Sequence, residues 1–138
     1  MGRPAVRVTV DTNVLVRAVI LDDPVQSPIA VRCLREAEAV AVPTTVLCEY
    51  VWVLRAAYKR PRSDIAASIR TLLEAGNVHL DRQAVEQGLT MFDAGGDFAD
   101  GAIAVEGRRL GGDELVTFDH QAAALLPQAG LAARCLDD

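Results

Sequence analysis

Residues 6–11 read VRVTVD, a run of β-branched side chains that ends directly on an aspartate. Val and Thr are stiff at χ1 and fit a pleated, half-buried surface better than a helix. The stretch therefore predicts a buried strand over 6–10, with Asp11 at its carboxyl end. Working outward, 39–42 (AVAV) predicts a second strand stopped by Pro43, and 77–80 a short third. Residues 114–117 (ELVT) predict a strand leading to Asp119, and 131–135 a final one. Helical spacing fills the gaps. It covers 29–38, then a helix capped by Thr44 or Thr45 and running to about Tyr58. Another opens at Ser63 and runs through Glu74, where Gly76 ends it. Residues 82–92 are helical, Gly95-Gly96 breaks the chain, and Asp97 opens a helix ending near Gly111. A short helix after Asp119 is ended by Pro127 and Gly130. Strands alternating with helices give an α/β layer fold with a mostly parallel sheet.

With 138 residues, half of them apolar, and no linker or internal repeat, 1–138 is expected to be a single domain. The net charge of −5 is unusual for a nucleic-acid binder, which is more often basic. A carboxylate-rich metal site offset by bound cations, or a basic protein partner, would account for it. Cys33, Cys48 and Cys135 are odd in number and widely spaced, which argues against a zinc ribbon or a disulfide framework. They are expected to be buried free thiols in a reducing compartment. The opening MGRPAVRVTV is too short an apolar run for a signal peptide or a membrane span, so a cytoplasmic protein is expected.

Ligands of open parallel sheets bind at the carboxyl ends of the strands. Asp11 and Asp119 sit at or just past such ends, where turn and N-cap aspartates are also common. Glu49 lies within TTVLCEYVWVLRAAY (44–58), which is apolar on almost every side, and a helix apolar all round is usually buried. No cation stands three or four residues away. A buried carboxylate needs compensation, either a long-range ion pair to Arg17 or Arg32 or a bound cation. Asp97 and Asp100 lie in GGDFADGAIAVEG; Asp97 is explained as an N-cap, Asp100 less well, because Ile103 and Ala104 on its face are apolar. Gly101 and Gly107 each cost that helix about 1 kcal/mol relative to alanine, so close packing or a ligand is expected there. Two carboxylates about 4 Å apart repel by roughly 4 kcal/mol at an effective dielectric of about 20. Oxygen donors alone suit Mg²⁺ or Mn²⁺, which can promote phosphodiester hydrolysis.

DTNVLVRA at 11–18, Glu49 in CEYVWVL, then GGDFADGAIA and VTFDH in that order resemble the PIN domain, and within it the VapC-type ribonuclease toxins. The resemblance covers essentially the whole chain. It implies an α/β/α sandwich around a central, mostly parallel sheet of about five strands. It implies a metal-dependent endoribonuclease with Asp11, Glu49, Asp100 and Asp119 as catalytic acids. Asp11 and Asp100 would be the metal ligands, and Asn13, Asp97 and Thr117 accessory residues. A VapB-type antitoxin, an RNA substrate and a homodimer are the partners it implies. Gly101 departs from the pattern, since alanine usually follows the third acid.

Lys59, Arg60 and Arg62, with Arg55, form the densest basic stretch, read either as an RNA phosphate contact or as a solvated helix end. Trp52 is expected in the core or at a partner interface. His79 and His120 are expected to be surface or satisfied histidines. No catalytic histidine pair is evident, which argues against a metal-free ribonuclease. A D-x-D phosphotransferase would need aspartate where Asn13 stands. A phosphoacceptor receiver would need a second acid there and a lysine after the last strand, whereas the only lysine is Lys59. A non-catalytic PIN-like module binding RNA or protein is the alternative from another class.

Overall fold

A computed structural model describes residues 6–137. The first five residues of the opening segment, whose shortness carried the expectation about membrane spans, lie outside the described residues. Among the described residues, no helix is long and apolar enough to cross a membrane. The chain groups into two compact units, 1–80 and 81–138.

In the first unit the order is β1 (Arg7–Thr9), α1 (Thr12–Val19), α2 (Gln26–Glu36), β2 (Ala39–Ala41), α3 (Thr44–Ala56), α4 (Arg62–Glu74) and β3 (Val78–His79). The strands form a parallel sheet in the order β1-β2-β3, with Val8 opposite Val40 and Val40 opposite Val78. Parallel neighbours need a crossover, and helix pairs α1–α2 and α3–α4 supply one each. Val40, Leu15, Leu47, Tyr50, Leu54, Ile65 and Ile69 are buried in this unit's core. The Tyr50 hydroxyl pairs with Ser68 Oγ at 2.7 Å, so its polar tip is satisfied.

Helix α1 is the element that periodicity did not reveal. TNVLVRAV is rich in β-branched residues and follows β1 after only Val10 and Asp11. It is helical because Thr12, Leu15 and Val16 are buried at helical spacing. Helix α2 begins three residues earlier than expected, because the Asp23 carboxylate accepts from the amides of Gln26 (2.7 Å) and Val25 (2.9 Å). Those two bonds hold the Asp23 carboxyl below the usual carboxylate range. Helix α3 is not capped by Thr44 or Thr45. Pro43 occupies the N-cap position, and its carbonyl accepts from Val46 and Leu47.

The second unit runs α5 (Arg82–Asp93), α6 (Phe98–Arg109), β4 (Leu115–Thr117), α7 (His120–Gln128) and β5 (Ala133–Cys135). Strands β4 and β5 pair in parallel, Val116 opposite Arg134, with α7 as the crossover. Aspartate side chains cap all three helices: Asp81, Asp97 and Asp119 each accept a first-turn amide. Helices α5 and α6 pack closely through glycines. A Cβ on Gly101 would lie 2.3 Å from the Gln87 carbonyl oxygen, and one on Gly88 would lie 2.6 Å from the Phe98 ring. Gly101 is thus explained by packing, whereas a Cβ on Gly107 would meet nothing within 4 Å.

Among the described residues five strands pair in parallel, three in the first unit and two in the second. None of the three cysteines is in a disulfide, but only Cys135 is buried; Cys33 is exposed on α2 and Cys48 is half-buried. The expectation of three buried thiols is corrected accordingly.

Candidate functional site

Strand β1 delivers Asp11 to the start of α1, with an extended backbone and no capping hydrogen bond from its carboxylate. The Asp11 carbonyl accepts from Leu15 N, while the side chain is exposed. The ordinary duty of an aspartate at this position is left undone, unlike at Asp81, Asp97 and Asp119. The next residue, Thr12, is buried, and its Oγ1 donates to Glu49 Oε2 at 2.9 Å. That bond ties the start of α1 to the middle of α3 and fixes the Glu49 carboxylate. The sequence reading missed this hold of Thr12 on Glu49. Its signal was the rule that a buried hydroxyl must be bonded, but seeing its burial required recognising α1.

Glu49 is exposed, contrary to the buried carboxylate expected of an apolar helix. Helix α3 buries only Leu47, Tyr50, Val51 and Leu54. Trp52, one turn from Glu49, is 68% exposed and so is not core. Nor does Arg17 compensate Glu49: it bonds Gln26 Oε1 at 3.0 Å and the Tyr58 hydroxyl at 3.1 Å, and pairs with Asp22. Arg32 is exposed on α2.

In the second unit, Asp97 Oδ1 accepts from Ala99 N at 3.1 Å at the start of α6. Asp119 Oδ1 accepts from Gln121 N at 2.9 Å and Ala122 N at 3.1 Å at the start of α7. Thr117 Oγ1 accepts from Asp119 N at 2.9 Å, bracing the turn between β4 and α7. Asp100 sits half-buried in the first turn of α6. Its carboxyl is pushed above the usual carboxylate range, first by burial, then by the charges of Asp97 and Asp119. Three of the sequence-predicted acids are therefore within electrostatic reach of one another in this unit. Asp97 and Asp119 each accept hydrogen bonds from helix amides, and the charges of both bear on Asp100. A divalent cation accepting oxygen donors would relieve that cost, and the donor chemistry fits Mg²⁺ or Mn²⁺.

Asn13 is exposed in the first turn of α1. Lys59 follows α3 in a left-handed conformation, φ 55°, and both it and Arg60 are exposed. Arg62 is half-buried at the start of α4. His79 is exposed on β3, and His120 lies 3.2 Å from Asp137 Oδ1 through Nε2.

Residues 8–125 match the PIN domain family, a span that contains Asp11, Glu49, Asp100 and Asp119. Among solved structures, VapC20 of Mycobacterium tuberculosis, described as a Sarcin-Ricin loop cleaving toxin, is similar at 19% identity and a TM-score of 0.43. The similarity covers 91% of this chain and 96% of that one. No curated protein matches the sequence. On the strength of the family match, the chain belongs to the PIN domain family.

Proposed function

We propose that the chain is a Mg²⁺- or Mn²⁺-dependent endoribonuclease of the VapC type, the toxin of a type II toxin–antitoxin pair. Asp11, Glu49, Asp100 and Asp119 are its catalytic acids, with Asn13, Asp97 and Thr117 accessory to them. The observation that carries the reading is Asp100, half-buried, its carboxyl raised first by that burial and then by the charges of Asp97 and Asp119, so that a cation would favour its ionised form. The ordered motifs from DTN to TFD and the uncommitted carboxylate of Asp11 support it.

Asp11 and Asp100 would hold the ion as ionised oxygen donors. A divalent ion supplies Lewis-acid stabilisation to an in-line displacement at phosphorus and a more acidic bound water. Thr12 holds Glu49 by Oε2, which leaves Oε1 to accept a proton from the attacking water. Asp119 commits Oδ1 to the amides of α7, which leaves Oδ2 to orient a water. Hydrolysis breaks one phosphorus–oxygen ester bond, and the departing oxygen takes up a proton. Lys59, Arg60 and Arg62 are assigned to RNA phosphates. A VapB-type antitoxin is assigned as the inhibitory partner, and the toxin is assigned as a cytoplasmic homodimer. The exposed Trp52 suits a protein partner.

The test is incubation of antitoxin-free protein with a panel of RNAs in Mg²⁺ or Mn²⁺ and in EDTA, beside Asp11→Asn. Metal-dependent cleavage that the variant lacks is the expected result. Folded, metal-loaded protein that cuts no RNA would favour a non-catalytic binding module.

A further inference from the structure

Immediately after Asp119 in sequence, the second unit begins a cluster of different chemistry. His120 is the first residue of α7, Cys135 ends β5, and Asp137 follows two residues later. Their ligand atoms all lie within 4.8 Å of one another. His120 Nε2 is 3.2 Å from Asp137 Oδ1 and 3.9 Å from Cys135 Sγ, and Sγ is 2.7 Å from that same carboxylate oxygen. Tetrahedral zinc, with metal–ligand bonds of about 2.0–2.3 Å, places ligand atoms about 3.3–3.6 Å apart. The two histidine distances bracket that spacing. The short thiol–carboxylate contact is a hydrogen bond through the thiol proton, which a metal would replace.

We propose that His120, Cys135 and Asp137 form a binding site for a thiophilic divalent cation of the Zn²⁺ class, separate from the oxygen-only acids of the nuclease site. The donor set separates the two. A thiolate and an imidazole select Zn²⁺ or Co²⁺ over Mg²⁺, whereas carboxylates alone do not. Binding converts the Cys135 thiol to a thiolate, releasing one proton to solvent, with no change in oxidation state. His120 and Asp137 are exposed and Cys135 is buried, so the ion would seat against the protein with its remaining position open to water. Asp119 does not join the set: among the described residues, the ligand atoms that cluster here are those of His120, Cys135 and Asp137. The ion would instead pin the first residue of α7 to the end of β5, bracing the turn that presents Asp119.

The site is tested by titrating the full chain with Co²⁺ in excess Mg²⁺, which occupies oxygen-only sites. Thiolate-to-cobalt charge-transfer absorption is followed in the wild type, Cys135→Ser, His120→Ala and Asp137→Asn. The expected result is a saturable band in the wild type that is absent in Cys135→Ser. Affinity should fall at least about tenfold in the other two, since even outer-shell partners of metal ligands matter that much. Zn²⁺ should displace the Co²⁺ and raise the wild-type melting temperature but not that of Cys135→Ser. No band, or a band unchanged in Cys135→Ser because Cys33 or Cys48 supplies the sulfur, overturns the proposal. Should Cys135→Ser fail to fold, His120→Ala decides: its side chain is exposed, so the fold survives, and unchanged Co²⁺ affinity there rejects the site. The outcome does not depend on whether the protein cuts RNA.

Discussion

Helices α3 and α6 each carry one acid of the candidate nuclease set, and they treat it in opposite ways. Glu49 on α3 stands exposed among apolar neighbours, held by the Thr12 hydroxyl. Asp100 on α6 is half-buried beside two other aspartates, and its carboxyl is raised. The more apolar helix therefore carries the more exposed carboxylate. Hydrophobic composition reports what a helix is able to bury, while burial itself depends on which faces meet neighbours. The electrostatic demand for a cation lies where helix N-termini gather several acids, not where the surrounding sequence is most apolar.

The largest effect should come from Asp100→Asn. Metal-dependent cleavage is expected to fall by orders of magnitude, while the metal-free protein becomes more stable near neutral pH. The sign follows from the raised carboxyl. A carboxyl raised on folding contributes stability that is present below its unfolded pKa and lost as pH rises through its folded value. Melting in EDTA should thus show the gap between variant and wild type widening from acid to neutral pH. A variant less stable than the wild type at neutral pH would place Asp100 with the structural residues.

Next in size is Gly101→Ala on the same helix. An added Cβ would meet the Gln87 backbone, so overpacking should cost about 1–3 kcal/mol in denaturant unfolding. The same change at Gly107, where space is open, should be neutral or stabilising by up to about 1 kcal/mol. Equal effects at the two glycines would refute the close packing of α5 on α6.

Asp97→Asn sharpens the contrast through pH. Asparagine still caps α6, but the charge that helps raise Asp100 is gone. Asp100 should then ionise at lower pH, and the acid limb of a cleavage–pH profile should move down. An unmoved limb would mean that Asp100 does not set it. The smallest expected effect on stability is that of Glu49→Gln, within about 0.5 kcal/mol by thermal melting, because the exposed amide oxygen still accepts from Thr12. Cleavage by that variant should nevertheless be strongly reduced. A large loss of stability would restore the buried role first expected of Glu49.

Much of this was legible in the chain. VRVTV and ELVT announce strands because β-branched residues have few other comfortable places, and the Asp97 and Asp119 caps follow from their positions before helices. Helix α1 was hidden because its β-branched residues mimic an extended segment, and with it went the Thr12–Glu49 bond. Gly101 and Gly107 both read in sequence as positions calling for close packing or a ligand; the approach of the α5 backbone decides for packing at Gly101, while Gly107 faces open space. The His120–Cys135–Asp137 cluster was invisible because its residues come from both ends of the β4–α7–β5 crossover and share no spacing motif.

The most direct test of the central claim is a calorimetric titration of wild type and Asp100→Asn with Mn²⁺ at neutral pH, in a Cys135→Ser background that removes the thiolate. Mn²⁺ binding by the parent that is lost in Asp100→Asn, with both proteins folded, is the predicted result. Equal Mn²⁺ affinity in the two proteins would contradict the assignment of Asp100 as a metal ligand.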